Sequence, residues 1–191
     1  MLTRIFCLLI GLLLPLAGKA QMGKLYTADN QLSNSFVSQV FQDHDGFMWV
    51  ATRNGLDRYD GYRFKIYKRE DGKSGLTSNF INCLFEDKAH TLYIGTNLTV
   101  QKYNGESFDT LRLIGPTGQP VHSYINDIQQ CRNGDLLIGT SGSGLMRVEG
   151  ECTAHTIAGL PSALLYIKRI LEDKQGRLWV ITAFHGLYCL K

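Results

Sequence analysis

The sequence predicts an all-β chain of propeller blades, each of four antiparallel strands. It predicts about four repeats, forming part of a larger ring of the seven-bladed type. Three observations carry this. A phrase beginning at Val37 and ending at Thr52 recurs from Ile81, Ile125 and Ile167, at offsets of 44, 44 and 42 residues with no gap inside a copy. A period near ~40–45 with strand-like content marks propeller blades. Each copy holds short apolar runs separated by turn residues, such as Val37 to Phe41 and Phe47 to Ala51 around Asp43, His44, Asp45 and Gly46. Finally, Trp49, Tyr93, Leu137 and Trp179 align, as do Val50, Ile94, Ile138 and Val180. Large apolar residues at one fixed position in every copy are what a shared inter-blade core requires.

The chain opens with Arg4, an apolar run from Ile5 to Leu14, Pro15, and then Gly18, Lys19 and Ala20. That order reads as a secretory signal over 1–20, cleaved after Ala20. The run is too short for a membrane span of ~20 residues. Loss of Arg4 and Lys19 lowers the formal net charge of +3 by two. A nearly neutral exported chain gives no electrostatic case for nucleic acid or for an anionic membrane. The expected location is the periplasm, with no membrane contact by this segment after cleavage.

Residues 21–31 are expected to form an N-terminal strand and linker, because Lys24 to Thr27 match the outer-strand residues Lys65 to Lys68. Blade repeats are then expected at 32–75, 76–120, 121–159 and 160–191. In the first, Gly46 supplies the positive φ of a tight hairpin. Leu56–Tyr59 is a third strand after the turn Arg53, Asn54, Gly55, and Phe64–Tyr67 a fourth. The second repeat follows suit with Val100–Tyr103 and Phe108–Leu113, but has His90 at the turn glycine, which predicts a looser turn. The third gives Leu145–Val148 and Thr153–Ile157. The last stops at Lys191, before a fourth strand. Lys24 to Thr27 could complete it in a closed four-blade ring, since pairing chain ends removes a sheet edge. A piece of a longer ring is the favoured expectation.

Cys83, Cys131, Cys152 and Cys189 share no repeat position and no metal-ligand spacing, so no structural disulfide is expected. His44, His90, His122, His155 and His185 fall at no metal-binding spacing. Asp43 and Asp45 start like a calcium loop whose later ligands are missing, which favours a plain β-turn. No nucleophile elbow or phosphate loop occurs. Glu86–Asp87 and Glu172–Asp173 are neighbours in extended chain and point to opposite faces. No cofactor, metal site or catalytic residue is expected.

Any site should lie where the loops after the second strand and before the first open on one end of the ring. These supply Arg53, Asn54, Asn97, Ser141, Ser143, Phe184 and His185, with Asn34, Asn79 and Tyr124. Arg and Asn among aromatics suit sugar hydroxyls or a uronate carboxylate. Turn formation explains Asn54, Ser141 and Ser143 equally well. Phe36, Phe80, Tyr124 and Tyr166 form a further aligned column, with packing the favoured role.

The phrases Leu32 to Val37, Gly46 to Phe64 and Gly176 to Val180 resemble the two-component regulator propeller repeats, over about Leu25 to Lys191. The third copy, without the Asp, Trp and Tyr, is the weakest match. The resemblance implies the periplasmic sensor of a hybrid histidine kinase, with propellers, a β-sandwich, a membrane helix, a kinase and usually a receiver. It implies recognition of oligo- or polysaccharide fragments. The partners it implies are the remaining blades or a kinase-bearing chain. A non-catalytic scaffold propeller, or a propeller-fold lyase or glycosidase, stand as alternatives.

Overall fold

The computed structural model describes residues 23–69 and 75–190. The signal segment 1–20 lies outside the described residues, as does most of the linker after Arg69. The strands are β1 (Val37–Gln42), β2 (Met48–Thr52), β3 (Gly55–Tyr59), β4 (Phe64–Tyr67), β5 (Ile81–Glu86), β6 (Leu92–Thr96), β7 (Val100–Tyr103) and β8 (Phe108–Thr110). They continue as β9 (Arg112–Ile114), β10 (Tyr124–Gln130), β11 (Leu136–Ser141), β12 (Leu145–Glu149), β13 (Thr153–Thr156), β14 (Ile167–Glu172), β15 (Leu178–Thr182) and β16 (Leu187–Leu190). Four sheets result, with orders β1-β2-β3-β4, β5-β6-β7-β8, β10-β11-β12-β13-β9 and β14-β15-β16. The chain is all-β and its sheets are propeller blades, here called blades one to four.

The turn chemistry repeats with the sequence. In blade one Gly46 N–H donates to Asp43 O at 3.0 Å, with φ of 88° at Gly46. Asp43 then does two further things: Oδ1 accepts the Phe47 N–H at 2.8 Å and Oδ2 accepts the Trp49 indole N–H at 2.6 Å. Asp173 makes the same clasp on Trp179 (2.8 Å), and Asp87 accepts from the Tyr93 hydroxyl at 3.2 Å. Blade three replaces both partners together, with Cys131 and Leu137. A lone buried Asp or indole N–H there would be left unsatisfied, so exchanging the pair keeps that blade stable.

The turn at His90 is not looser than the others. His90 takes φ of 65°, in the same left-handed range as Gly46, Gly134 and Gly176. Its N–H closes the same bond, to Asp87 O at 3.0 Å. The turn is held by Asp87, whose Oδ1 accepts from Ala89 and Thr91 N–H, each at 2.9 Å. Those bonds impose the shape, and the histidine conforms despite its β-carbon.

Each first strand carries a bulge two residues in, at Val37/Gln39, Ile81/Cys83, Ile125/Asp127 and Ile167/Arg169. The bulge frees side chains to reach the next blade. Asn82 donates to Ile125 O at 3.0 Å and Asn126 to Ile167 O at 2.6 Å. Gln39 brackets Leu84, donating to its carbonyl and accepting from its N–H. Asp127 accepts the Ile170 N–H at 2.7 Å, and its burial raises its pKa above the usual carboxylate value. The second strands press close in return: a β-carbon on Gly95 would stand 2.4 Å from Cys83 Sγ and 2.8 Å from Ile125 Cγ2.

Three apolar cores fill the three interfaces. Trp49, Leu56, Ile81, Ile94, Tyr103 and Phe108 lie between blades one and two. Val100, Leu113, Ile125, Ile138 and Met146 lie between two and three, and Leu137, Leu145, Leu164, Ile167 and Val180 between three and four. Each large side chain buried there contributes ~1.5–3 kcal/mol. All four cysteines in the described residues are free thiols, Cys83 and Cys131 buried, Cys152 and Cys189 exposed.

Two expectations about strands are corrected. Residues 23–27 form no strand, and β16 pairs only with β15 among the described residues. Tyr26 instead lays its ring on Tyr59 and Phe64 of blade one, at 6.0 and 5.2 Å between centroids. The expected strand Phe108–Leu113 breaks at Leu111, whose N–H bonds Val100 O and whose side chain is buried. From there β9 crosses to blade three and pairs in parallel with β13, Leu113 opposite Ala154. Leu113 thereby reaches the core between blades two and three, which a continued outer strand would have denied it.

Candidate functional site

The β2–β3 turns and the segments leading into the first strands meet at one end of the blades. Arg53 is the centre of this rim. Its backbone N–H bonds Phe36 O at 3.2 Å, which sets the side chain above the Phe36 ring, 3.6 Å from guanidinium carbon to centroid. The same guanidinium lies 5.3 Å from the Phe80 ring of the next blade. Phe80 meets Tyr124 edge-to-face at 5.7 Å. Farther along, Tyr166 meets Phe184 at 5.5 Å. The column Phe36, Phe80, Tyr124, Tyr166 is therefore both packed and presented: its rings touch neighbours, yet Phe36 is 51% and Tyr166 44% exposed. Burial raises the pKa of the Tyr124 phenol above its usual value, with Arg53 and a hydrogen bond from Asn82 pulling the other way. It is neutral at physiological pH and offers both a donor and an acceptor.

The remaining expected residues divide by what their polar groups already do. Asn34 Oδ1 accepts the Phe36 N–H at 2.8 Å and Asn79 Oδ1 the Arg69 N–H at 2.6 Å, so both shape the chain entering a first strand. Asn54 and Ser143 bond through their backbones to Thr52 and Thr140 hydroxyls, and His185 likewise to Thr182. Ser141 ends β11 and accepts from Asn126 Nδ2 at 2.8 Å. Side chains of Asn54 and His185 stand exposed, as does Phe184 at 73%. Asn97 has its N–H on Phe80 O, while its Oδ1 is out of solvent with no partner among the described residues.

The β2–β3 turns contain no Asp or Glu, whereas Asp29 lies in the segment before β1 and Glu70 and Asp71 in the segment before β5. The acidic groups are committed elsewhere: Asp43, Asp87 and Asp173 to their clasps, and Glu86 and Glu172 to the turns of the preceding blades. Glu86 accepts the His44 N–H at 3.0 Å and Glu172 the Arg132 N–H at 2.7 Å. Adjacent carboxylates do point apart, as extended chain demands. The rim can thus bind through aromatic faces, one guanidinium and amide or hydroxyl groups. It lacks a carboxylate pair of the kind glycoside hydrolysis uses.

Sequence spacing gave no reason to bring two histidines together, yet the fold does so at the opposite end of the blades. His44 stacks on His90 at 4.1 Å between centroids, and His44 Nδ1 lies 2.6 Å from Glu86 Oε1. The β1–β2 turns of adjacent blades are neighbours only in space, so a spacing search along the chain misses the cluster. The left-handed position of His90 was the visible signal.

Comparison with known proteins bears on both fold and family. The two component regulator propeller family matches residues 31–54, 75–98 and 160–184. Histidine kinase P4 of Formosa agariphila is 45% identical over 53 residues, covering 27% of this chain and 4% of that protein. In structure, the chain is similar to the extracellular domain of a B. thetaiotaomicron protein assigned to a hybrid two component system. There the TM-score is 0.70 at 23% identity, over 82% of this chain and 24% of that one. Virginiamycin B lyase from Staphylococcus aureus shares the fold at a TM-score of 0.59 and 16% identity, over 93% of this chain and 61% of that one. The chain spans about a quarter of the two-component neighbour, and the propeller shape is common to a sensor and an enzyme. By sequence, three stretches of this chain match two component regulator propeller repeats.

Proposed function

We propose that this chain is a ligand-sensing propeller portion of a periplasmic two-component receptor, and that its ligands are oligo- or polysaccharide fragments held at the rim of Phe36, Arg53, Phe80 and Tyr124. One observation carries the reading: a guanidinium set between aromatic rings of two blades, beside β2–β3 turns that contain no Asp or Glu. Sugar rings stack on aromatic faces, and a uronate carboxylate suits the fork of Arg53. Because Arg53 spans blades one and two, a ligand there changes how those blades meet, which is what a sensor requires.

The faces of the outer blades support a larger ring. Val37, Val40 and Ile66 are exposed on blade one, and Leu171, Ile181 and Leu187 on blade four. The positions aligned with Val37, Val40, Ile181 and Leu187 are buried in blades two and three. Further blades are the proposed occupants of both faces, in keeping with the repeat pattern. The proposed activity of this segment is binding, with signalling carried by a kinase-bearing partner.

A thermal-shift screen of the full chain against neutral and uronate-containing oligosaccharides tests this, because a ligand of the folded state raises the melting temperature. Arg53→Ala should weaken binding of a uronate-containing hit at least ~10-fold, the scale of one charged hydrogen bond. Equal binding by Arg53→Ala, or no stabilisation by any sugar, refutes the rim as the site.

A further inference from the structure

We propose that His44, Glu86 and His90 form a binding site for a divalent transition-metal ion of the zinc class, clipping blade one to blade two. One nitrogen of each histidine and one oxygen of Glu86 lie within 4.8 Å of one another. Two imidazoles and a carboxylate are a ligand set zinc accepts, with bonds of ~2.0–2.2 Å and a fourth position open to water. Such bonds place neighbouring ligand atoms roughly 3.3–3.6 Å apart. Small rotations of exposed imidazoles close the difference. The site borders a cleft of about 400 Å³ whose walls include Asp43, Asp45 and Arg58, so solvent reaches it.

The backbone provides the second, independent observation. His90 is the one described residue other than glycine with positive φ. The other three copies place Gly46, Gly134 and Gly176 there, the residue the turn favours. A side chain kept in a disfavoured conformation points to a role beyond the turn. This one is stacked on His44, whose backbone and ring are both bonded to Glu86. Glu86 is fixed in turn by the inter-blade bond that Gln130 and Glu172 repeat with Lys88 and Arg132. Two ligands are thus set by bonds the scaffold makes anyway, and the third is added by a single departure from its repeat. The site lies at the far end of β1 from the rim, about 20 Å by the rise of a strand, so the two are separate.

The test uses the full chain stripped with EDTA, titrated with Zn²⁺ by calorimetry and with Co²⁺ by visible absorption. One saturable ion per chain is expected, with Co²⁺ ligand-field bands and a rise in melting temperature on adding Zn²⁺. His90→Gly restores the turn residue of the other copies, so it should fold at least as stably without metal. It should bind Zn²⁺ at least 100-fold more weakly and lose the cobalt bands. Glu86→Gln keeps an acceptor for the His44 N–H and should also lose the zinc-induced rise. No saturable binding by the unaltered chain overturns the proposal. So does His90→Gly binding as tightly as the parent, which would place the ion on ligands outside this cluster.

Discussion

Replacing Gly95 by alanine adds one methyl group where blade two packs on blade three, beside Cys83 of its own blade and Ile125 of the next. The new β-carbon would stand 2.4 Å from Cys83 Sγ, 2.8 Å from Ile125 Cγ2 and 3.1 Å from Ile125 Cβ. All three atoms belong to buried residues, Cys83 and Ile125 being 5% and 0% exposed, so neither side chain can swing into solvent. Forcing a methyl into a packed core costs about 1–3 kcal/mol. Gly95 is in β6 without a positive φ, so alanine also gains about 0.5–1 kcal/mol from a less flexible unfolded chain. The net expectation is a loss of roughly 0.5–2 kcal/mol, or about 1–8 °C at the sensitivity of a chain this size. Urea unfolding of the full chain followed by tryptophan fluorescence measures it. Cys83→Ala removes the nearest atom, so the pair should couple by at least about 0.5 kcal/mol in a double-mutant cycle. Gly75→Ala, whose β-carbon would meet nothing closer than 3.6 Å, is the control and should be neutral or slightly stabilising. A Gly95→Ala chain as stable as the parent would refute the close packing around Gly95, and a strictly additive cycle would refute its contact with Cys83.

Two further outcomes are expected. The indole N–H of Trp179, then Arg177, hold the Asp173 carboxyl well below the usual carboxylate range. A carboxyl with a lowered folded-state pKa adds stability that is present above its unfolded value of about 3.9 and is lost as pH falls through the folded value. The gap in melting temperature between the parent and Asp173→Asn should therefore be constant above about pH 5 and shrink in more acid solution. A gap independent of pH down to about pH 2 would show that the carboxylate charge is not what the clasp uses. Thiol labelling of the native chain with peptide mapping should mark Cys152 and Cys189 quickly and Cys83 and Cys131 only on unfolding, since burial raises both buried thiols. Rapid labelling of Cys83 would count against the packed interface around it.

Repetition made most of the fold readable. A position filled by Trp49, Tyr93, Leu137 and Trp179 declares itself core, and the turn glycines declare the hairpins. Where one copy departs, reading by analogy fails. His90 looked like a weakened turn because residue type was weighed alone. The bonds from Asp87 to Ala89 and Thr91, which hold that turn, need coordinates to be seen. The crossing of β9 escaped for a related reason: Phe108 to Leu113 alternates like one strand, and only the pull of a neighbouring core on Leu113 splits it. Among the proposed site residues, Arg53 stands out in sequence by its type and turn, since a guanidinium in a loop has few structural duties. Asn34 and Asn79 were not distinguishable from binding residues, because the same amide oxygen serves a turn or a sugar.

The crossing strand also bears on how the molecule can move. Near the rim, blades one and two are joined by the bond from Gly55 N–H to Asn79 O, two and three by Ser123 N–H to Leu98 O, and three and four by Gly142 N–H to Leu165 O. Blades two and three are joined a second time, at their outer edges, by the pairing of β9 with β13. Two attachments at opposite edges of an interface prevent it from opening like a book. The other two joints hold by side chains such as Gln39, His44 and Arg132, with no strand ladder among the described residues, so blades two and three should move most nearly as one panel. Arg53 sits at the joint between blades one and two, so a molecule lodged there would act on an interface that no strand ladder locks.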